Sequence, residues 1–113
     1  MKDDAFYLLH MVDSIRKVED HLKGVGYDNF LASRLVQSAV IRELEIIGEA
    51  AKNVSQETRS KHPDIPWKLM AGMRDKLIHA YEAVDYDEVW STATKDIPRL
   101  LEWVTPLLPA EPD

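Results

Sequence analysis

Between Met73 and Tyr81 the chain carries a guanidinium (Arg74), a carboxylate (Asp75), an ammonium (Lys76), an imidazole (His79) and a phenol (Tyr81). These are the parts of a metal-free site for cleaving phosphodiesters. An imidazole titrating near neutral pH can take the proton of a ribose 2′-hydroxyl or give one to the leaving oxygen. A guanidinium can hold the phosphate through two hydrogen bonds and stabilise charge in the transition state.

Helical geometry constrains how these groups combine. Arg74 and His79 are separated by roughly 140° of rotation on a straight helix, while Arg74 and Tyr81 fall within about 20°. Asp75 and His79 are four residues apart, so the carboxylate is placed to orient the imidazole. For Arg74 and His79 to meet, either the helix loosens near Ile78 or the site is a cleft between two copies of the chain. The second arrangement is favoured here, because a symmetric dimer sets two such segments face to face. The plainer alternative is a capping histidine beside a surface arginine.

Arg42, Glu45 and Glu49 fall within about 60° of one another on a helix. They read as a solvated face with one internal salt bridge or, alternatively, as a polar edge facing a partner. Two carboxylates lack a third ligand, and His10, His21 and His62 have no ligand at familiar spacing, so no metal or cofactor is expected. Trp67, Trp90 and Trp103 lie on helical stripes, which favours core packing over base stacking. Gly24-Val25-Gly26 has no third glycine and no preceding strand, so it reads as a helix stop and not a phosphate loop.

The elements that must position these groups are helical. Ala5, Leu8, Leu9, Val12, Ile15, Val18 and Leu22 predict a helix from about Asp3 to Lys23. Asp28 is a candidate N-cap for a second helix reaching about Lys52, with the stripe Val36, Val40, Leu44, Ile47 and Ala51. Ser55 to Arg59 can form a short extra turn. Pro66 suits the first position of a third helix covering Trp67 to about Tyr81. Asp85 and Glu88 have the spacing of a capping box for a fourth, running to about Leu107. Pro98 inside it predicts a kink near Thr94-Lys95. The expected architecture is an all-α, four-helix up-and-down bundle with a kinked last helix and one extra short turn. It forms a single domain over residues 1–113, frayed from about 109.

The bulk composition agrees with that class. The chain has 113 residues, 45% of them hydrophobic and 30% charged, with four glycines. There is no cysteine, which excludes disulfides and thiolate chemistry. Neither a signal-peptide pattern nor a membrane-length apolar run is present, so a cytoplasmic location is expected. The net charge of −6 argues against a protein that coats nucleic acid, while leaving room for a local basic site or a basic partner.

Three segments carry a family resemblance: Val40-Ile41-Arg42-Glu43-Leu44-Glu45-Ile46-Ile47-Gly48-Glu49-Ala50-Ala51-Lys52, His62-Pro63-Asp64-Ile65-Pro66-Trp67, and Gly72-Met73-Arg74-Asp75-Lys76-Leu77-Ile78-His79-Ala80-Tyr81. Together they resemble the HepT-like branch of the HEPN superfamily, over nearly the whole chain. The resemblance implies a toxin of a type VII toxin–antitoxin pair, acting as a homodimeric, metal-independent endoribonuclease on RNA. It implies Arg74 and His79 as the catalytic pair, with Asp75 supporting them. It also implies a minimal nucleotidyltransferase antitoxin as partner, which silences the toxin by transferring AMP onto Tyr81. A non-catalytic helical module that docks the nucleotidyltransferase is the alternative from another class. A plain dimerisation bundle is a third.

Overall fold

The computed structural model describes residues 3–79 and 83–109. These residues are all-α, with no strand among them. Helix α1 (Asp4–Leu22) starts where the Asp3 side chain accepts the Phe6 N–H at 3.1 Å. It buries Leu8, Met11, Val12, Ile15 and Val18. Leu9, expected on this stripe, is half exposed, because it stands about 100° from Leu8, on the side of the helix away from the buried Met11 and Ile15. The chain leaves α1 through Gly24, whose φ of +72° is a left-handed conformation that a side chain disfavours.

The second predicted helix is in fact two. Helix α2 (Tyr27–Ala32) is capped by Gly26 and not by Asp28, and helix α3 (Arg34–Asn53) starts afresh after Ser33. The Ser33 hydroxyl accepts the Val36 N–H at 3.1 Å, and the Gln37 amide donates to the carbonyls of Phe30 and Leu31, each at 3.1 Å. These side chains satisfy the backbone groups that the break exposes, so neither Gly nor Pro is needed there. Phe30 is buried against Trp90, and the Tyr27 hydroxyl donates to the Asp87 carboxylate, which ties α2 to the start of the last helical segment.

Helix α3 is the central element, packed against α1 on one side and α5 on the other. Val40, Leu44, Ile47 and Ala51 are buried, as their spacing predicts. Each of the three larger side chains contributes about 1.5–3 kcal/mol through burial. The expected short turn is helix α4 (Gln56–Lys61). Helix α5 (Trp67–His79) begins at Trp67, as predicted, with Pro66 just outside its first residue and the Pro66 carbonyl accepting the first helical N–H, from Met70.

Asp85 caps helix α6 (Tyr86–Ser91) by accepting from the N–H groups of Asp87 and Glu88. Glu88 does not return the capping bond: its carboxylate takes Lys76 at 2.8 Å instead. A π-turn over Thr92–Asp96 then leads into helix α7 (Ile97–Val104) and a 3₁₀ turn (Thr105–Leu107). That wider turn breaks the regular α-helix where the interruption was predicted, and it accommodates the N–H that Pro98 lacks. Trp67 is in the core and Trp90 half-buried, but Trp103 is 40% exposed, so the expectation of core packing fails for that ring. It stands on α7 one position from the buried Val104 and faces outward.

The start of α1 is clasped to α4. Asp4 accepts from the Ser55 N–H at 2.8 Å and from the Ser55 and Thr58 hydroxyls. Burial pushes the Asp4 carboxyl up, but these hydrogen bonds, with the Arg59 charge, outweigh it and hold the group below its ordinary value. No helix among the described residues is long and apolar enough to cross a membrane.

Candidate active site

The site begins with a glycine inside a helix. A Cβ on Gly48 of α3 would lie 2.3 Å from the Arg74 Cβ and 2.6 Å from the Met70 carbonyl oxygen of α5. Only hydrogen fits, so α5 crosses α3 at backbone distance and Arg74 is pressed against α3. Sequence analysis gave Gly48 no role. An isolated glycine within an otherwise strong helical stripe was the signal available.

Pressed there, the guanidinium lies among alternating charges. Its Nε is 3.0 Å from the Glu49 carboxylate and its Nη1 donates to Asp75 at 2.8 Å. Lys52 reaches the same Asp75 oxygen at 3.6 Å. The Asp75 hydrogen bond raises the Arg74 pKa further, against the opposing effect of burial, and Glu49 and Glu45 add to it. In return the Arg74 hydrogen bond holds the Asp75 carboxyl below the usual range, overcoming desolvation with help from Lys52. The four charges of Glu49, Arg74, Asp75 and Lys52 cancel. One of the five guanidinium N–H donors makes a hydrogen bond, to Asp75, while Glu49 faces Nε as an ion pair; no other Arg74 hydrogen bond is formed among the described residues.

Arg74 opens onto a cleft of about 310 Å³ between α1, α3 and α5, lined by Phe6, His10, Arg42, Glu45, Glu49 and Ile78 among others. Two groups of residues that sequence analysis treated separately therefore belong to one site. The expected internal salt bridge of Arg42 is absent among the described residues; Glu49 pairs with Arg74 across the helix crossing instead. His10 was read only as lacking metal-ligand spacing, yet its ring packs 4.2 Å from that of Phe6 at the cleft wall. Only the tertiary packing of α1 on α3 brings it there. No group of three or more His, Cys, Asp or Glu among the described residues is placed to hold a metal ion.

His79 ends α5 and is exposed. Its Nδ1 lies 2.7 Å from the backbone carbonyl of Asp75. The carboxylate does not orient this ring, contrary to expectation, because Arg74 and Lys52 already occupy it. As donor to a carbonyl, Nδ1 carries the proton in the neutral ring, and Nε2 keeps its lone pair for proton transfer. The helix stays α-helical through Ile78, so no loosening turns His79 towards Arg74, and His79 is not among the residues lining the cleft. The structure thus gathers Arg74 and Asp75 with Glu49 and Lys52, and leaves His79 one turn away on another face. Tyr81 lies outside the described residues.

Fold and site define an all-helical domain with a clamped guanidinium at the mouth of a cleft and an exposed imidazole at the end of the same helix. The family described as "Ribonuclease HepT-like" matches residues 11–107, and the chain belongs to this family. Among its relatives, the protein named "Probable ribonuclease HepT" from Thermococcus cleftensis is 47% identical over 83% of this chain and 86% of its own. A protein named as a candidate RNase from Caldanaerobacter subterraneus subsp. tengcongensis is 42% identical over 98% of this chain and 99% of its own. A third, from Methanocaldococcus jannaschii, is named both a gamma-glutamylcyclotransferase and a candidate RNase. It is 45% identical over 95% of this chain, which covers 48% of that longer protein. No solved structure matches the chain significantly.

Proposed function

We propose that this chain is the ribonuclease toxin of a type VII toxin–antitoxin pair, acting in the cytoplasm as a homodimeric, metal-independent endoribonuclease. The observation that carries the reading is the clamped Arg74, with donors left over at the mouth of a cleft, one turn from an imidazole whose Nε2 has no partner among the described residues. Arg74 binds the non-bridging oxygens of an RNA phosphate. His79 removes the 2′-hydroxyl proton as that oxygen attacks phosphorus, the bond from phosphorus to O5′ breaks, and the departing O5′ takes up a proton. The products are a 2′,3′-cyclic phosphate and a 5′-hydroxyl. Since one α5 does not aim Arg74 and His79 at a common point, a second copy facing the first completes the site.

Silencing by a minimal nucleotidyltransferase follows the same electrostatics. AMP transferred from ATP to Tyr81 adds negative charge and bulk to the segment that carries Arg74, which repels and excludes RNA phosphate. One observation favours the alternative, a non-catalytic module that docks the nucleotidyltransferase: the Glu49 and Asp75 carboxylates already pair with Arg74. One experiment separates the two. Protein purified with chelator should cut single-stranded RNA to cyclic-phosphate ends, and co-expression with the nucleotidyltransferase should add whole AMP units at Tyr81 and stop the cutting. Cleavage only on adding a divalent metal, or none in any form of the protein, would reject the enzyme reading as stated.

A further inference from the structure

A second groove, of about 340 Å³, lies at the junction of α4 and α5, where Gln56, Arg59, Ser60, Trp67 and Lys68 form part of its lining. Every charged residue lining it is a cation, in a chain whose net charge is −6. The Arg59 Nε is buried without a hydrogen-bond partner. Neither Arg59 nor Lys68 forms an ion pair among the described residues. Two cations lining one groove, neither held in an ion pair among the described residues although the Asp4 carboxylate feels the Arg59 charge, favour an anion as its occupant. The Trp67 indole donates to the His62 carbonyl at 3.0 Å and its ring is buried, so the groove offers no open face for stacking a base.

The groove and the Arg74 cleft come close along the chain. Asn53 lines the cleft and Gln56 lines the groove. Three residues span at most about 10 Å. We propose that the Arg59–Lys68 groove holds a backbone phosphate of single-stranded RNA away from the scissile bond, as a sequence-independent anchor for the strand in the Arg74 cleft. The proposal rests on the ribonuclease reading. It also gives an acidic protein a local means of holding RNA, with a phosphate clamp separate from the charge-neutral network around Arg74.

The test uses the full chain and a fluorescent 2′-O-methyl oligouridylate of about twenty nucleotides, which lacks the attacking hydroxyl, titrated over a range of salt. Lys68→Gln should weaken binding about three- to tenfold at low salt and lower the slope of log K against log salt by about 0.7, the value for one phosphate contact on a single strand. Adding Arg59→Gln should roughly double the slope change, and Arg59→Lys should restore part of it. The ratio of long-RNA to dinucleotide cleavage should fall in parallel. Lys68 is exposed, so its variant reports even where Arg59→Gln fails to fold. Unchanged affinity and slope in Lys68→Gln, with wild type still cutting a dinucleotide, would overturn the groove and leave the ribonuclease reading standing. Wild type that neither binds nor cuts RNA would overturn both. Binding of polyglutamate that depends on Lys68, with RNA binding indifferent to it, would make the groove a protein-docking site and overturn the proposal.

Discussion

His79→Ala is expected to slow RNA cleavage by about 10²–10⁴-fold, the usual contribution of a positioned general acid or base. Stability should change little, within about 0.5 kcal/mol, because the ring is exposed and makes one hydrogen bond to its own helix. The geometry makes the loss specific to Nε2. Nδ1 keeps its proton and donates it in a hydrogen bond to the Asp75 carbonyl, so the neutral ring has its lone pair at the other nitrogen. Initial rates on a labelled oligonucleotide, with melting curves of both proteins, check the effect. A variant that melts like wild type and cuts as fast would remove His79 from the chemistry.

The second large effect is expected at Gly48, which touches no substrate. In an open helix, Gly→Ala stabilises by about 1 kcal/mol. At Gly48 the added methyl meets a Cβ at 2.3 Å and a backbone oxygen at 2.6 Å, and neither is the end of a flexible side chain. Overpacking of this kind costs about 1–3 kcal/mol, so the clash outweighs the propensity and α5 must move off α3. Gly72, on α5, is the internal control, since a methyl added there would meet nothing within 4 Å. Gly48→Ala should melt several degrees below wild type, and Gly72→Ala at or above it. Any Gly48→Ala that folds should also cut RNA about 10²-fold more slowly, because displacing Arg74 by even about 1 Å spoils its alignment with the phosphate. A Gly48→Ala protein as stable and active as wild type would mean that the close crossing does not position Arg74.

The contrast between these two residues shows which parts of the molecule can be read along the chain. Local periodicity and capping chemistry are written in neighbouring residues, so the stripes of α1 and α3, the Asp85 cap and the interruption near Thr94-Lys95 are legible. The break at Ser33 was not. It depends on Gln37 reaching back to two carbonyls, and no helix-breaking residue marks it. Arg74, Asp75 and His79 stood out by chemical type, but their partners lie across the fold. Glu49 and His10 meet the cleft, and Lys52 meets Asp75, only because α3 lies between α1 and α5 and because Gly48 lets α5 approach. Spacing placed the Asp75 carboxylate beside His79; the stronger pull of Arg74 and Lys52 took it elsewhere.

The central claim, that Arg74 of one chain and His79 of another complete a single RNA-cleaving site, is tested most directly by mixing two inactive variants. Arg74→Ala and His79→Ala, each silent alone, are co-expressed with different tags or refolded together, and cleavage is measured in chelator. Random pairing makes about half the dimers mixed, each with one intact composite site, so about a quarter of wild-type activity should return. Mixed dimers isolated by both tags that remain inactive would contradict the account.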